Sequence, residues 1–248
     1  MKNAIVTGAS SGIGEATARL LAQRGYRLIA VARRAERLDQ LKAELGDAVI
    51  PLSLDLTDGD APAHVREAVD REFGGQLDLL VNNAGGAWRA AFGDDEKGGW
   101  ENVRRTMELN FDAVVRLTEA LLPVLRASAP SAIVNVSSVA ARASRPKSGA
   151  YSAAKAALAS WTDALHLEEK PNNVHVGMVL PGFIVTEGFP QKDIKPRWIV
   201  SKPEKAAEAI FKAGPGGKPE VIVPRGYALI PALKTFAPGL VRRGASGV

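Results

Sequence analysis

Ala4-Ile5-Val6-Thr7-Gly8-Ala9-Ser10-Ser11-Gly12-Ile13-Gly14 is the stretch on which the fold is decided. A short apolar run ends in three glycines spaced Gly-x-x-x-Gly-x-Gly. A helical pattern follows from Ile13 to Arg24, with Ala16, Leu20 and Leu21 apolar, and Gly25 stops it. A continuous apolar run, unlike an alternating one, marks a strand covered on both faces. Glycines let the chain turn tightly and let an anion approach the free N–H groups that open the helix. The loop therefore reads as a pyrophosphate cradle. The plainer alternative is a glycine-rich turn without a ligand, which the position directly after the first strand disfavours.

The same alternation continues along the chain. Strands are expected at Leu28–Val31, Val49–Leu52, Leu77–Val81, Ala132–Val136, Val174–Leu180 and Glu220–Val223. Helices are expected at Ala35–Leu45, Ala61–Phe73, Gly99–Arg126, around Tyr151, and at Pro203–Ala213. Buried strands alternating with helices predict an α/β fold with a doubly wound, Rossmann-type parallel sheet of about seven strands and helices on both faces. No repeat, low-complexity tract or linker divides residues 1–248, so one domain is expected.

Composition narrows the function classes. Of 248 residues, 46% are hydrophobic and 24% charged, enough for a sizeable core. The net charge of +5 is dispersed; pairs such as Arg104-Arg105 and Arg242-Arg243 form no nucleic-acid stripe, and no nucleic-acid partner is expected. There is no cysteine, which excludes disulfides and thiolate metal sites, and His64, His166 and His175 are too scattered for a ligand set. A strand pattern starting at Asn3 leaves no room for a signal peptide, and a cytoplasmic protein is expected.

Two further clusters carry chemistry. Tyr151-Ser152-Ala153-Ala154-Lys155 places a phenol and an ammonium on one helix face. An ammonium favours the phenolate, which would lower the phenol pKa from about 10 toward a value useful for proton transfer. An incidental surface pair is the alternative. At the end of the second strand, where an acid would hold the ribose 2′-hydroxyl of NAD, stand Ala32-Arg33-Arg34. Two guanidiniums suit a 2′-phosphate, so NADP(H) is the expected cofactor and NAD(H) the alternative, with Arg33 the main contact and Ser10 and Arg34 assisting.

With these features together, residues 3 to 223 resemble the short-chain dehydrogenase/reductase family. The motifs are Thr7 to Gly14, Asp55-Leu56-Thr57, Asn82-Asn83-Ala84-Gly85, Asn110, Ser137-Ser138, Tyr151 to Lys155, and Pro181-Gly182 with Thr186. The resemblance implies an oxidoreductase that moves a hydride between nicotinamide and a small carbonyl or alcohol substrate. It implies catalytic roles for Asn110, Ser138, Tyr151 and Lys155. Ser138 is preferred to Ser137 because it lies thirteen residues before Tyr151, the family's spacing. It further implies that Gly8, Ser10, Ser11, Gly12, Ile13 and Gly14 hold the cofactor phosphates. Asp55 and Leu56 would meet the adenine, and Asn83, Ala84 and Gly85 would pack against the cofactor. Tyr151 and Lys155 would reach its nicotinamide ribose, and Pro181, Gly182, Ile184 and Thr186 would frame the nicotinamide. Read as residues alone, Asp55 is equally a helix cap, and Asn110 a buried polar group that needs a partner in an apolar helix. A sensor protein on the same fold is the competing function, and the intact set of catalytic residues argues against it.

Two regions depart from the commonest family pattern. Residues 183–202 read as a substrate lid with Phe183, Phe189 and Trp198 among Lys192, Lys195, Arg197 and Lys202. Trp88 and Phe92 are candidates for the opposite wall, so a bulky, apolar substrate is one reading and packing on the protein itself the other. Residues 224–248 form a divergent apolar extension, from Tyr227 through Leu233 and Phe236 to Leu240 and Val241, broken by prolines and too short to span a membrane. It is expected to cover the substrate site or a partner subunit; contact with a membrane surface is the less favoured reading. A homodimer through the Val103–Leu125 and Tyr151 helices is expected, with a tetramer in doubt.

Overall fold

The computed structural model describes residues 1–187 and 199–239. Among these, seven strands form one parallel sheet: β1 Lys2–Thr7, β2 Tyr26–Ala32, β3 Val49–Ser53, β4 Leu79–Asn82, β5 Ser131–Val136, β6 Val174–Pro181 and β9 Glu220–Val223. Their order is β3-β2-β1-β4-β5-β6-β9, and all pairings are parallel. Two short segments, β7 Phe183–Ile184 and β8 Val200–Ser201, pair with each other beyond the end of β6. This is the doubly wound sheet that the alternating pattern predicts.

The helices are α1 Gly12–Gln23, α2 Ala35–Leu45, α3 Ala61–Phe73, α4 Gly99–Met107, α5 Ala113–Ala127, α6 Gly149–Glu169, α7 Pro203–Ala213 and α8 Ile230–Phe236. Side chains alternate across each strand, so neighbours in sequence join opposite layers. Ala4 and Val6 pack with Ala18 and Leu21 of α1, Leu38 of α2 and Ile210 of α7. Ile5 packs with Val65 of α3, Leu117 and Leu121 of α5 and Leu165 of α6. Both faces of the sheet are thereby buried, which is why its strands read as unbroken apolar runs.

Two boundaries differ from expectation for physical reasons. Leu77 is fully buried but precedes β4, its N–H taken by the Ser128 hydroxyl at 3.0 Å instead of by a neighbouring strand. The expected Gly99–Arg126 helix is interrupted by a π-helical turn, Glu108–Asp112. Such a turn inserts one extra residue per i→i+5 bond and re-aims the side chains on it. Apolar periodicity does not register it, because α4 and α5 each keep a buried face.

A chain of side-chain hydrogen bonds crosses the core behind the site. The Asn82 amide donates to Asn135 Oδ1 (2.9 Å) and Thr118 Oγ1 (3.1 Å), and the Asn135 amide donates to Thr162 Oγ1 (2.9 Å). It ties β4 and β5 to α5 and α6, and its residues are buried. Low local dielectric makes such a chain strong when complete and costly when broken. Asn135→Ala removes two of these bonds and strands one donor on Asn82, so the unfolding free energy is expected to fall by about 2–4 kcal/mol. Urea denaturation with an unchanged m-value checks this, and a loss under half a kcal/mol would mean that the chain contributes little.

Candidate active site

The carboxyl ends of the parallel strands open into a cleft of about 1170 Å³. The first turn is set by close packing of backbone on backbone. A Cβ on Gly14 would fall 2.1 Å from the Gly8 carbonyl oxygen and 2.6 Å from Asn83 Nδ2, so no larger residue fits there. Thr7, at the end of β1, clasps the turn after β4: its hydroxyl donates to the Val81 carbonyl (3.2 Å) and accepts from the N–H groups of Asn83 and Ala84 (2.9 Å each). The loops after β1 and β4 are thus locked side by side, with α1 opening onto the cleft.

Gly8, Ser10, Ser11, Gly12 and Ile13 line the cleft on the α1 side, and Asn83, Ala84 and Gly85 line it beside them. Arg33, Arg34, Asp55 and Leu56 lie at the β2–β3 end. Ser138, Tyr151, Lys155, Pro181, Gly182 and Ile184 also line the cleft, and Thr186 lines it beside Gly12, where a Cβ would meet its methyl at 2.9 Å. Gly14 and Asn110 are buried one layer behind this surface. A dinucleotide fits this groove: glycine backbone at a helix N-terminus, cations at one end, and a buried ammonium at the other.

Arg33 is widely exposed and meets Asp55 at a loose 3.5 Å. Arg34 donates to Ser10 Oγ at 3.3 Å and pairs with Glu187 at 3.4 Å. Asp55 accepts from the Thr57 N–H (3.0 Å) and hydroxyl (2.9 Å), so it shapes the turn as a cap and also faces the cleft. Burial pushes its carboxyl up, but Thr57 and Arg33 together hold it below the usual carboxylate range.

The two adjacent serines separate cleanly. The Ser137 hydroxyl donates to the Lys155 carbonyl at 2.8 Å and is committed to α6. Ser138 Oγ accepts from the Ala140 N–H at 3.1 Å and lies in hydrogen-bonding reach of Tyr151. Lys155 is 3% exposed, and its ammonium donates to the Val136 carbonyl at 2.9 Å. Asn110 is fully buried on the π turn; its amide donates to the carbonyls of Gly86 (2.8 Å) and Thr106 (2.9 Å), while Oδ1 accepts from the Gly86 N–H (3.2 Å). The partner that a buried asparagine needs is the Gly86 backbone, so the side chain holds the turn after β4 in place.

Electrostatics at Tyr151 differ from the expectation of a lowered pKa. Burial raises it, and the Ser138 hydroxyl and the Arg89 charge pull it only partly back. The Lys155 ammonium stands 5.9 Å from the ring centroid and is itself desolvated, which depresses its pKa to about 8. Both groups are therefore biased toward their neutral forms.

Trp88 and Phe92 do not line the cleft among the described residues. The Trp88 ring lies 5.1 Å from the Arg105 guanidinium, and Phe92 is 75% exposed. Phe189, Lys192, Lys195, Arg197 and Trp198 of the expected lid, and Leu240 and Val241 of the extension, lie outside the described residues. Arg89, Arg145, Tyr227, Ile230 and Leu233 also line the cleft, and spacing in the sequence does not single them out. Tyr227 packs on Gly182 so closely that a Cβ there would meet its ring at 2.2 Å. The described part of the extension thus contributes Tyr227, Ile230 and Leu233 to the lining of the cleft. No helix among the described residues is long and apolar enough to cross a membrane, and none of their His, Asp and Glu clusters could hold a metal ion. His166 and His175 meet the carbonyls of Val176 and Ala213 at 2.8 Å each, a structural use.

The sequence profile of the short chain dehydrogenase family matches residues 2–195. An uncharacterized oxidoreductase of Myxococcus xanthus is 37% identical over 75% of this chain and 73% of its own. Cis-4-hydroxycyclohexanecarboxylate dehydrogenase of Sinomonas cyclohexanicum is 35% identical over 84% of this chain and 86% of its own. A short-chain dehydrogenase crystal structure from Streptomyces avermitilis superposes with a TM-score of 0.83 at 32% identity, over 98% of this chain and 99% of that one.

The buried lysine makes a testable demand on stability. Its pKa falls from 10.5 unfolded to about 8 folded. Between those values the unfolded chain binds more protons, so stability attributable to this group rises with pH from about 8 to 10.5, by up to about 3 kcal/mol. In Lys155→Met that rise disappears. Denaturation of both proteins at pH 7, 8.5 and 10 should show the wild type gaining on the variant; parallel curves would mean that the ammonium is not desolvated.

Proposed function

The chain belongs to the short-chain dehydrogenase/reductase family, and we propose that it is an NADP(H)-dependent oxidoreductase interconverting a carbonyl and an alcohol, with Tyr151 as general acid and base. The observation that carries this reading is that Ser138, Tyr151 and the buried Lys155 line one wall at the strand ends of a dinucleotide-sized cleft. The bound nicotinamide supplies or accepts the hydride; the protein supplies position and field. Reduction places negative charge on the substrate oxygen. Tyr151 donates a proton to that oxygen, and Ser138 donates a hydrogen bond to it. The raised Tyr151 pKa keeps the phenol protonated at neutral pH, as an acid requires. Lys155 is held by Val136 with donors to spare for ribose hydroxyls. In oxidation Tyr151 is the base. A homodimer through the α4–α5 and α6 faces is part of the same reading, with Phe111 and Trp161 only partly buried there.

Replacing Tyr151 by Phe keeps the ring and removes the proton. Cofactor binding should persist while turnover falls by at least ~10²-fold, the lower end for losing acid–base help. Near-normal reduction of a ketone panel by that variant would remove Tyr151 from the mechanism.

Cofactor preference rests on charge at the end of β2. Ala32 offers no acid for a ribose hydroxyl, whereas Arg33 is exposed in the cleft and only loosely engaged by Asp55. A charge-assisted bond to a 2′-phosphate contributes about 1.5–3 kcal/mol, so NADPH should bind at least ~10-fold tighter than NADH. Arg33→Ala should lose most of that preference through NADPH alone, and Ala32→Asp added to it should favour NADH. Titrating both cofactors checks this; equal affinities in the wild type would misplace the ribose pocket.

A further inference from the structure

The catalytic end of the cleft holds a guanidinium that the proposed reaction does not use. Arg145 stands in the loop between Ser138 and α6, lines the cleft, and is partly buried. Its guanidinium lies 4.4 Å from the Phe183 ring centroid. Among the described residues it makes no ion pair. Burial depresses its pKa, Tyr227 acts against that, and the nearby Arg89 charge adds to it. Of the described residues lining the cleft, Asp55 alone is a carboxylate, and it sits at the opposite end beside Arg33. Apolar side chains also line the cleft, among them Leu109, Ala140, Ala143, Ile230 and Leu233, beside the polar Ser148 and Tyr227.

A guanidinium taken partly out of water without a counter-charge is costly. That cost is offset when a ligand brings the counter-charge. We infer that the substrate is an apolar carbonyl or hydroxy acid whose carboxylate is seated on Arg145. The planar fork of a guanidinium matches a carboxylate bidentately. A carboxylate suits this end better than a phosphate: Arg145 is partly buried while the nearby Arg89 is exposed to solvent, so a monoanion balances the charge that burial leaves uncompensated. Phe183 stacks the fork from one side and Tyr227 packs edge to face on Phe183 at 6.4 Å, so the guanidinium is oriented before the substrate arrives. Seating one end of the substrate fixes how its reacting carbon is presented to Tyr151 and Ser138, the gain expected from positioning.

The inference rests on the reading of this cleft as a carbonyl-reducing site, so its test is a binding measurement that needs no turnover. The probes are 4-acetylbenzoate and its neutral methyl ester, titrated calorimetrically into the full-length protein saturated with NADP⁺ or NAD⁺, in wild type, Arg145→Met and Arg145→Lys. Wild type should bind the acid at least ~10-fold tighter than the ester, the scale of one charge-assisted bond. Arg145→Met, which keeps an apolar stem, should lose that difference by weakening the acid alone, and Arg145→Lys should recover part of it. The ester is the internal control for folding: if it binds Arg145→Met as it binds wild type, the cleft is intact. Equal binding of acid and ester by wild type, or an Arg145→Met protein that weakens both alike, overturns the assignment. Reduction of the methyl ester's ketone, and its loss in Tyr151→Phe, is read separately and decides the reductase chemistry whichever way the titration goes.

Discussion

A lysine ammonium buried at the end of the central strands is the constraint on which the site depends. Lys155 cannot be solvated where it is, so its charge is tolerable only with neighbours that accept its protons. In the protein itself that neighbour is the Val136 carbonyl, 2.9 Å away. Backbone around it is drawn tight: a Cβ on Gly85 would come within 3.3 Å of the ammonium and 2.7 Å of Asn110 Oδ1. Ser137 pins the same lysine's carbonyl, and the Asn82–Asn135–Thr162 chain anchors α6 to β4 and β5 from behind. The buried ammonium and Asn110 together leave room only for a small residue at Gly85, and of the two serines Ser137 is committed to Lys155 while Ser138 lines the cleft.

The π turn at Glu108–Asp112 belongs to the same arrangement. It lets Asn110 present both its carbonyl and its amide to Gly86. The turn after β4 is then held from two sides, by Thr7 at its start and by Asn110 at its end. A regular helix would turn that amide elsewhere and leave backbone groups of Gly86 to find other partners. The irregularity in the helix is therefore what makes the loop regular.

Much of this was legible in the sequence because it is local or periodic. Continuous apolar strands follow from burial on both faces, and the α1 boundary from glycine spacing. The Tyr151–Lys155 face follows from helix geometry alone. What was not legible depends on contacts distant in sequence. The π turn leaves no trace in periodicity. Leu77 is apolar like a strand residue, yet the Ser128 hydroxyl ends the ladder before it. The sign of the Tyr151 shift turns on how deeply the phenol is buried, which spacing does not reveal. Trp88 and Phe92 were candidates for a wall by composition, but Arg105 takes the one ring and solvent the other.

The two ends of the cleft differ in the same way. The end that faces Arg33 and Asp55 is built from loops whose residues sit at fixed offsets from strands, so motif reading reaches it. The end that faces Arg145 is assembled from a loop before α6, a segment after β6 and the residues after β9, three stretches far apart in the chain. Their agreement is steric: Tyr227 fits only because position 182 is glycine, and Phe183 lies between Arg145 and Tyr227, in contact with both. A substitution at Tyr227 therefore bears directly on Gly182 and Phe183, far from Arg33 and Asp55 at the other end. The two ends of the cleft are thus built from different parts of the chain, and Arg145 with the residues packed around it lay beyond the reach of sequence spacing.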